Sequence, residues 1–389
     1  MSRSFKEAAI AGIGQTEFSK ASGRSELQLA AECSRSACED AGIDPKDIDG
    51  MVTFTLDNTD EIHLCRCLGV ENLAYTTRIP GGGAAAVATI YQAMAMVNAG
   101  LCNNVLIWRA MNERSQYRFG QPIDMNTAFA PGGGTGSLLW CMPFGAQTPA
   151  TWESLASQRY MQKYGVSNED FGRVSVVQRK YASTNPNAWF YEKPITLEDH
   201  QNSKWVVEPV LRLLDCCQES DGGVALIVTS LERARDLKQK PVRVLGACQS
   251  IPREVEVISN YYHDGDLAEM PEAKGTAKRL YEQTGMGPED MQLAMIYDAF
   301  TPQVFKQLEA FGFCGHGEGS DFVKDGHIEQ GGKLPVNTNG GLIGEAYIHG
   351  MNNITEAVRQ IRGEAANQVD NIQNALVSSG MAGAVLARD

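Results

Sequence analysis

Two stretches of this chain, far apart in sequence, follow the same pattern. In the first, the glycine loop Gly81-Gly82-Gly83 opens an Ala-rich helical run that ends near Gly100, and an apolar strand follows Asn104. In the second, the glycine-rich loop from Asn337 to Gly350 precedes a helical run from about Asn353 to Arg362, and apolar strands follow Asn374. Strand and helix patterns alternate around both stretches, as a sheet covered by helices requires. A pattern that recurs in two halves argues for internal duplication. The sequence is therefore expected to fold as an α/β protein of two similar halves, residues 1–245 and 246–389.

The first half begins with an apolar run, Ala8 to Ile13, that reads as a strand closed by glycine. Ser25-Glu26-Leu27-Gln28 has the spacing of a capping box and starts a helix that Gly42 should stop. Val52 to Thr55, Asn104 to Trp108, Val224 to Thr229 and Val242 to Ala247 read as further strands. From about 111 to 205 the pattern changes. Gly/Pro-rich loops such as Ala130-Pro131-Gly132-Gly133-Gly134 alternate with amphipathic helices at Trp152 to Lys163 and Asn168 to Ser183. This stretch reads as an insertion covering something. In the second half, Met295-Ile296-Tyr297 ends a strand and Pro302 to Phe311 follows as a helix.

Composition narrows the function classes. The 389 residues carry a formal net charge of −13, and no Lys/Arg cluster stands out, which argues against nucleic-acid binding. No apolar run approaches the roughly 20 residues of a membrane span. The first residues lack a signal-peptide pattern, so a cytoplasmic location is expected. The ten cysteines are then expected to be reduced thiols, mostly small core residues. Cys65-Arg66-Cys67 with His63 is too tightly spaced for a usual zinc finger, and no metal is expected.

Functional residues of α/β proteins collect at strand ends and helix starts. Three places qualify. One is Pro80-Gly81-Gly82-Gly83, where the backbone can approach a ligand and a helix start offers free N–H groups. The second is Tyr297-Asp298, at a strand end. The third is Asn339-Gly340-Gly341, running through Gly344 into Tyr347-Ile348-His349. By themselves these signals fit a tight turn, a packing tyrosine and a core histidine as well as they fit a site. The spacing of the glycines is not that of a P-loop.

Longer motifs go further. Gly12-Ile13-Gly14-Gln15-Thr16-Glu17-Phe18, Leu214-Asp215-Cys216-Cys217 with Ser220-Asp221-Gly222-Gly223, Phe311-Gly312-Phe313-Cys314, and Leu334-Pro335-Val336-Asn337-Thr338-Asn339-Gly340-Gly341 lie across nearly the whole chain. In these motifs the chain resembles the thiolase superfamily, in the branch of sterol-carrier-type thiolases and bacterial lipid-transfer proteins. The resemblance implies a thiolase fold: duplicated βαβαβαββ halves in a five-layered αβαβα arrangement with an inserted loop domain. Against that family's patterns, Pro80 stands in the nucleophilic-cysteine slot of Cys-x-[ST]-Gly. Tyr297 replaces the histidine of His-Asp-x-Phe, and Tyr347 replaces the histidine of Gly-His-Pro. The region from Leu376 to Gly380, where a second cysteine is expected, has none.

Thiolase chemistry needs a thiolate to form an acyl-enzyme. Two histidine-to-tyrosine changes accompanying the lost cysteine suggest a rebuilt site rather than a decayed one. The pattern resembles steroid side-chain-cleaving aldolases, which cleave a β-hydroxyacyl-CoA into a ring ketone and propionyl-CoA without a covalent intermediate. Retro-aldol cleavage needs an acid and a base, and Tyr297 and Tyr347 are the candidates; Tyr347 is favoured on the base side, and the swapped assignment stays open. A phenol acting as a base must be tuned down from its usual pKa of about 10. His349 and the backbone near Gly344 are candidate donors for that tuning, and Asp298, Asn339, Pro80, Gly81 and Gly82 are candidate supporting or substrate-binding residues. No cofactor is expected beyond the coenzyme A that the substrate carries. Arg173, Arg179 and Lys180 are candidate coenzyme A contacts, with solvated helix charges as the plainer reading. The family resemblance also implies a homodimer and a partner protein with an OB fold and a zinc ribbon, linked to an acyl-CoA hydratase. Two other readings stay open: a non-catalytic acyl-CoA or lipid-binding scaffold, and an acyl transferase using Cys314 or Cys102.

Overall fold

A computed structural model of the chain describes residues 7–122, 141–253 and 266–389. The Gly/Pro-rich stretch from Ala130 to Gly134 lies outside the described residues. The first half runs β1 (Ala8–Gln15), α1 (Glu26–Ala41), β2 (Gly50–Phe54), α2 (Glu61–Leu68), β3 (Tyr75–Ile79), α3 (Ala88–Asn98), β4 (Asn104–Asn112). An inserted segment follows, with helices α4 (Pro149–Tyr164), α5 (Asn168–Thr184) and α6 (Leu197–Asn202) and a hairpin of β5 (Trp205–Val207) and β6 (Leu211–Arg212). β7 (Asp221–Ser230) then completes the strands of the first half, and the turn α7 (Leu231–Ala234) follows it. The second half runs β8 (Val242–Gln249), α8 (Pro271–Thr284), β9 (Leu293–Ile296), α9 (Thr301–Ala310), α10 (Gly319–Lys324), α11 (Gly341–Gly344), α12 (Met351–Arg362), β10 (Asn374–Ser378) and β11 (Ala382–Arg388).

The duplication is visible in the strand order. The sheet reads β3-β2-β4-β7-β1-β8-β11-β10-β9. Read outward from the β1/β8 seam, each half places its first strand innermost, then the last of its strands in this sheet, then the second from last. Val336 bridges Ala294 in parallel beyond β9 and fills the place that β3 holds in the first half. The seam itself is slight, Ala9 opposite Arg243 and Ile10 opposite Val242. The second repeat opens at Val242, so a division at 245 falls inside β8.

Helices fill three layers, with strands between them. α1 packs on β1, β7 and β4, and α8 packs on β8 and β11, as outer covers. α3 and α12 each touch strands of both halves and form the middle layer. This explains why the strands read as nearly unbroken apolar runs, since both of their faces are covered. It also explains α12, which is buried all round except at Arg359 and hydrogen-bonds most of its polar side chains internally. Gly12 and Gly14 let α1 lie this close: a Cβ on either would come within 2.2 Å of a carbonyl oxygen of α1, at Ala37 and Cys33.

Local signals hold where they are strong. Ser25 caps α1 by accepting from the Gln28 N–H at 3.2 Å, and Gly42 stops it at φ +77°. The box is half formed, because the Gln28 side chain turns to Glu32. The sequence reading passed over α2 and β3; Asp60 caps α2, whose Leu64 and Leu68 face the core. No helix among the described residues is long and apolar enough to cross a membrane.

Candidate active site

The C-terminal ends of β4 and β9 and the loop before α12 converge on a cavity of about 860 Å³. Its walls are mainly apolar, and the inserted segment supplies Tyr117, Phe119, Trp152 and Phe190 to them. Both tyrosines singled out from sequence line it. The Tyr297 and Tyr347 hydroxyls hydrogen-bond to each other at 2.8 Å, 50 residues apart in sequence. Both rings are buried, and burial pushes both phenols well above their ordinary pKa. Both therefore remain protonated at neutral pH. The expectation of a tyrosine tuned down to serve as a free base does not match this site.

Backbone contacts hold the pair in place. Tyr297 extends β9: its N–H donates to Ser378 O at 2.8 Å, and its carbonyl accepts from Gln307 Nε2 at 2.7 Å. Asn337, at φ +53°, uses its side chain as a strand mimic, bonding Ile296 N at 2.7 Å and Ile296 O at 2.8 Å. Tyr347 leaves the same loop, and its N–H donates to Ser220 Oγ at 3.2 Å. Gly83 lies directly over Tyr297: a Cβ there would sit 2.2 Å from the phenol oxygen.

His349 also lines the cavity, with its ring 5.2 Å from that of Tyr347 in an edge-on arrangement. Its Nδ1 accepts from Arg109 Nε at 3.0 Å. Burial and the neighbouring guanidinium hold its pKa well below the ordinary value, so the ring is neutral. Glu113, just beyond β4, lines the same cavity with a carboxyl that burial pushes well above its usual pKa. Lys20 is lowered to about 8, chiefly by burial. Cys217 lines the cavity too, and burial raises its thiol well above 9.0. Cys314 is pushed up to about 12 and Cys102 to about 11, both by burial, so neither has the activated character of a nucleophile.

The other residues named from sequence divide. Gly82 lines the cavity beside His349, whereas Pro80 and Gly81 stand outside its lining. On this loop it is at Gly83 that a side chain would meet Tyr297. Asp298 is fully buried behind the site, and its carboxylate oxygens accept from Leu342 N at 3.0 and 3.1 Å. Asn339 bonds Glu345 and accepts from Gly341 N at 3.0 Å, stiffening the loop from behind. Gly344 is packed against Ala182, and its N–H is already used by Gly340 O at 2.8 Å, so it has no donor to offer a phenol. Arg173 pairs with Glu169, Arg179 stacks on Phe190 and bonds Lys193 O, and Lys180 pairs with Glu329. None of the three lines the cavity; Lys20, Arg114, Arg118, Lys204 and Lys306 do.

Arg109, Asp57 and Glu113 were not found from sequence, and Gly83 was named there only as part of its glycine loop. Arg109 did carry a signal, as the lone charge within the apolar run from Val105 to Met111. Asp57 carried none, since its partner lies 52 residues away.

The fold and the site together define a thiolase-type scaffold with a hydrogen-bonded phenol pair lining its large cavity. The family described as "Thiolase C-terminal domain-like" matches residues 257–388. A steroid side-chain-cleaving aldolase of Thermomonospora curvata is 52% identical over 373 residues, covering 96% of this chain and 95% of that protein. A 17-hydroxy-3-oxo-4-pregnene-20-carboxyl-CoA lyase of Mycobacterium tuberculosis is 50% identical over 374 residues, 96% of each. The solved Ltp2-ChsH2(DUF35) aldolase superposes with a TM-score of 0.92 at 49% identity, over 100% of this chain and 99% of that one. The chain belongs to the thiolase superfamily, in the sterol-carrier-type branch that includes the steroid side-chain-cleaving aldolases.

Proposed function

We propose that this chain cleaves the side chain of a steroid β-hydroxyacyl-CoA by a retro-aldol reaction in which Tyr297 and Tyr347 act as one proton relay. It is a carbon–carbon lyase acting on a CoA thioester, as its relatives at 52% and 50% identity are. The observation that carries the mechanism is the 2.8 Å bond between two buried phenols at a large, mainly apolar cavity.

The reaction balances without a cofactor. The hydroxyl on the ring carbon gives its proton to Tyr347 while the bond to the α-carbon breaks and its electrons form the thioester enolate. Tyr347 passes its own proton to Tyr297, and Tyr297 protonates the enolate carbon. The ring carbon becomes a ketone, the side chain leaves as propionyl-CoA, and both phenols end as they began. A relay of this kind needs no phenolate, which suits two phenols raised in pKa. It also needs no thiolate, which suits a loop where Gly83 faces Tyr297.

The solved relative is an aldolase with a DUF35 partner. We extend that association to this chain, with a partner built of an OB fold and a zinc ribbon and linked to an acyl-CoA hydratase. We also expect this chain to form a homodimer. Its ten free cysteines suit a reducing compartment, and we place the reaction in the cytoplasm.

Mass spectrometry of products from steroid β-hydroxyacyl-CoAs, with and without the DUF35 protein, tests the reading. The expected products are a ring ketone and propionyl-CoA, carrying one deuterium at the α-carbon when the reaction runs in D2O. Tight binding of the substrates without turnover under both conditions would favour the scaffold reading instead.

A further inference from the structure

Arg109 sits in the middle of β4, a strand buried along its whole length. A guanidinium is always protonated and can only donate. Here its Nη1 donates to Asp57 Oδ2 at 3.0 Å and to Ala110 O at 2.8 Å, and its Nε donates to His349 Nδ1 at 3.0 Å. Asp57 is held in turn by the N–H groups of Ala110 at 3.0 Å and Thr59 at 2.8 Å. Asp57, Arg109 and His349 are each 2% exposed.

These bonds fix the state of the imidazole. Nδ1 must carry a lone pair, because the group facing it can only donate. The single proton of the neutral ring is therefore on Nε2. A second proton on Nδ1 would break the Arg109 bond and set two cations side by side in a buried site. Among the described residues, Nε2 has no hydrogen-bond partner, and His349 lines the cavity. A Cβ built on Gly82 would lie 3.4 Å from Nε2, so this nitrogen faces the glycine loop that lines the cavity. The ring is held at φ +51°, an uncommon backbone conformation for a residue other than glycine, and lies between Phe54, Phe119 and Tyr347.

We infer that the Asp57–Arg109 pair holds His349 as a neutral Nε2–H donor, and that this N–H binds the thioester oxygen of the substrate as it becomes the enolate oxyanion. This rests on the lyase reading and supplies the donor that the relay lacks. The tyrosines move a proton between oxygen and carbon, and neither is free to neutralise the charge that gathers on the thioester oxygen. A fixed N–H aimed into an apolar cavity stabilises such charge without reorganisation. A neutral imidazole can serve in this way, since it donates without competing for the proton in transit. His349 is then a catalytic residue, and Arg109 and Asp57 are positioning residues.

The test combines histidine-selective 15N NMR with kinetics of the full chain and its DUF35 partner. His349→Phe identifies the His349 signal by its loss. In the wild-type protein that signal is expected to be the neutral Nε2–H tautomer at pH 7. His349→Phe should lower kcat about 100-fold with KM little changed, as loss of an oxyanion donor does. His349→Gln, which keeps an N–H donor, should recover part of that loss. Arg109→Met alone strands the Asp57 charge and risks the fold, so Asp57→Asn/Arg109→Met is the informative variant. It should show mixed tautomers and a kcat lower by about 10-fold or more, the scale for losing the partner that orients a functional histidine. A wild-type His349 that is cationic or protonated on Nδ1 overturns the inference, as does a His349→Phe protein with kcat within about threefold of wild type. Failure of the wild-type complex to cleave any steroid acyl-CoA overturns the lyase reading and the donor role together. In a complex that cleaves, an unaffected His349→Phe variant overturns the donor role alone.

Discussion

A phenol is a poor base at neutral pH, yet it can take a proton if it gives one up in the same step. Tyr297 and Tyr347 provide that route for each other across 2.8 Å. Removing either hydroxyl breaks the whole path, so Tyr297→Phe and Tyr347→Phe should each cost at least ~100-fold in kcat. The double variant should be little worse than either single one, because groups that act as a unit are non-additive. Losses that multiply in a double-mutant cycle would mean two independent roles. The raised phenol pKa values give the pH dependence its sign. Below their pKa both tyrosines keep their protons, so kcat should show no rising limb from phenolate formation between pH 7 and 9. A climb approaching tenfold per pH unit there would identify a phenolate base instead. Gly83→Ala is the steric counterpart. Its Cβ would meet Tyr297 2.2 Å from the hydroxyl, so it should cut kcat by about 100-fold while circular dichroism stays unchanged. The tyrosines were legible in the sequence because they occupy motif positions at a strand end and in a glycine loop. The glycine loop was legible too, but not that Gly83 is the one that faces Tyr297, because the spacing of three successive glycines does not say which one faces inward.

At the scale of elements, the loop from Asn337 to Gly350 determines where Tyr347 goes, and buried polar side chains shape it. The glycine run and Asp298 were readable in the sequence; the burial of Asp298 behind the loop was not, since burial is decided by distant packing. Asp298 shows the consequence. Its hydrogen bonds to Leu342 N favour the carboxylate, but burial outweighs them and raises its pKa to about 7. An unfolded aspartate titrates near 3.9. Between about pH 4 and pH 7 the folded chain thus keeps a proton that the unfolded chain has released. Stability from this group falls as pH rises through that window and levels off above it. Asp298→Asn has no proton to lose. The Tm of the wild type relative to this variant should therefore drop steadily from pH 4.5 to 7 and then stay constant. A difference that is flat across that range would mean that Asp298 is ionised in the fold throughout.

Over the whole molecule, the duplication legible in the glycine, helix and strand pattern is real in topology but does not yield two independent bodies. The reason lies in the middle layer. α3 belongs to the first half by sequence and packs on β8 and β11 of the second, and α12 belongs to the second and packs on β1 and β7 of the first. The site depends on the same interlocking, since His349 and Tyr347 come from one half and Arg109 and Gly83 from the other. Each half alone would expose one face of its sheet and strand the buried polar groups of a central helix, which is costly without partners. The strand seam of two residue pairs at β1/β8 could not hold the halves together by itself; the shared helices do. Denaturant unfolding followed by tyrosine fluorescence near the site and by far-ultraviolet circular dichroism should therefore give coincident single transitions, and residues 242–389 expressed alone should not fold. Two separated transitions, or a folded isolated second half, would show that the halves are autonomous and that the active site assembles between preformed domains.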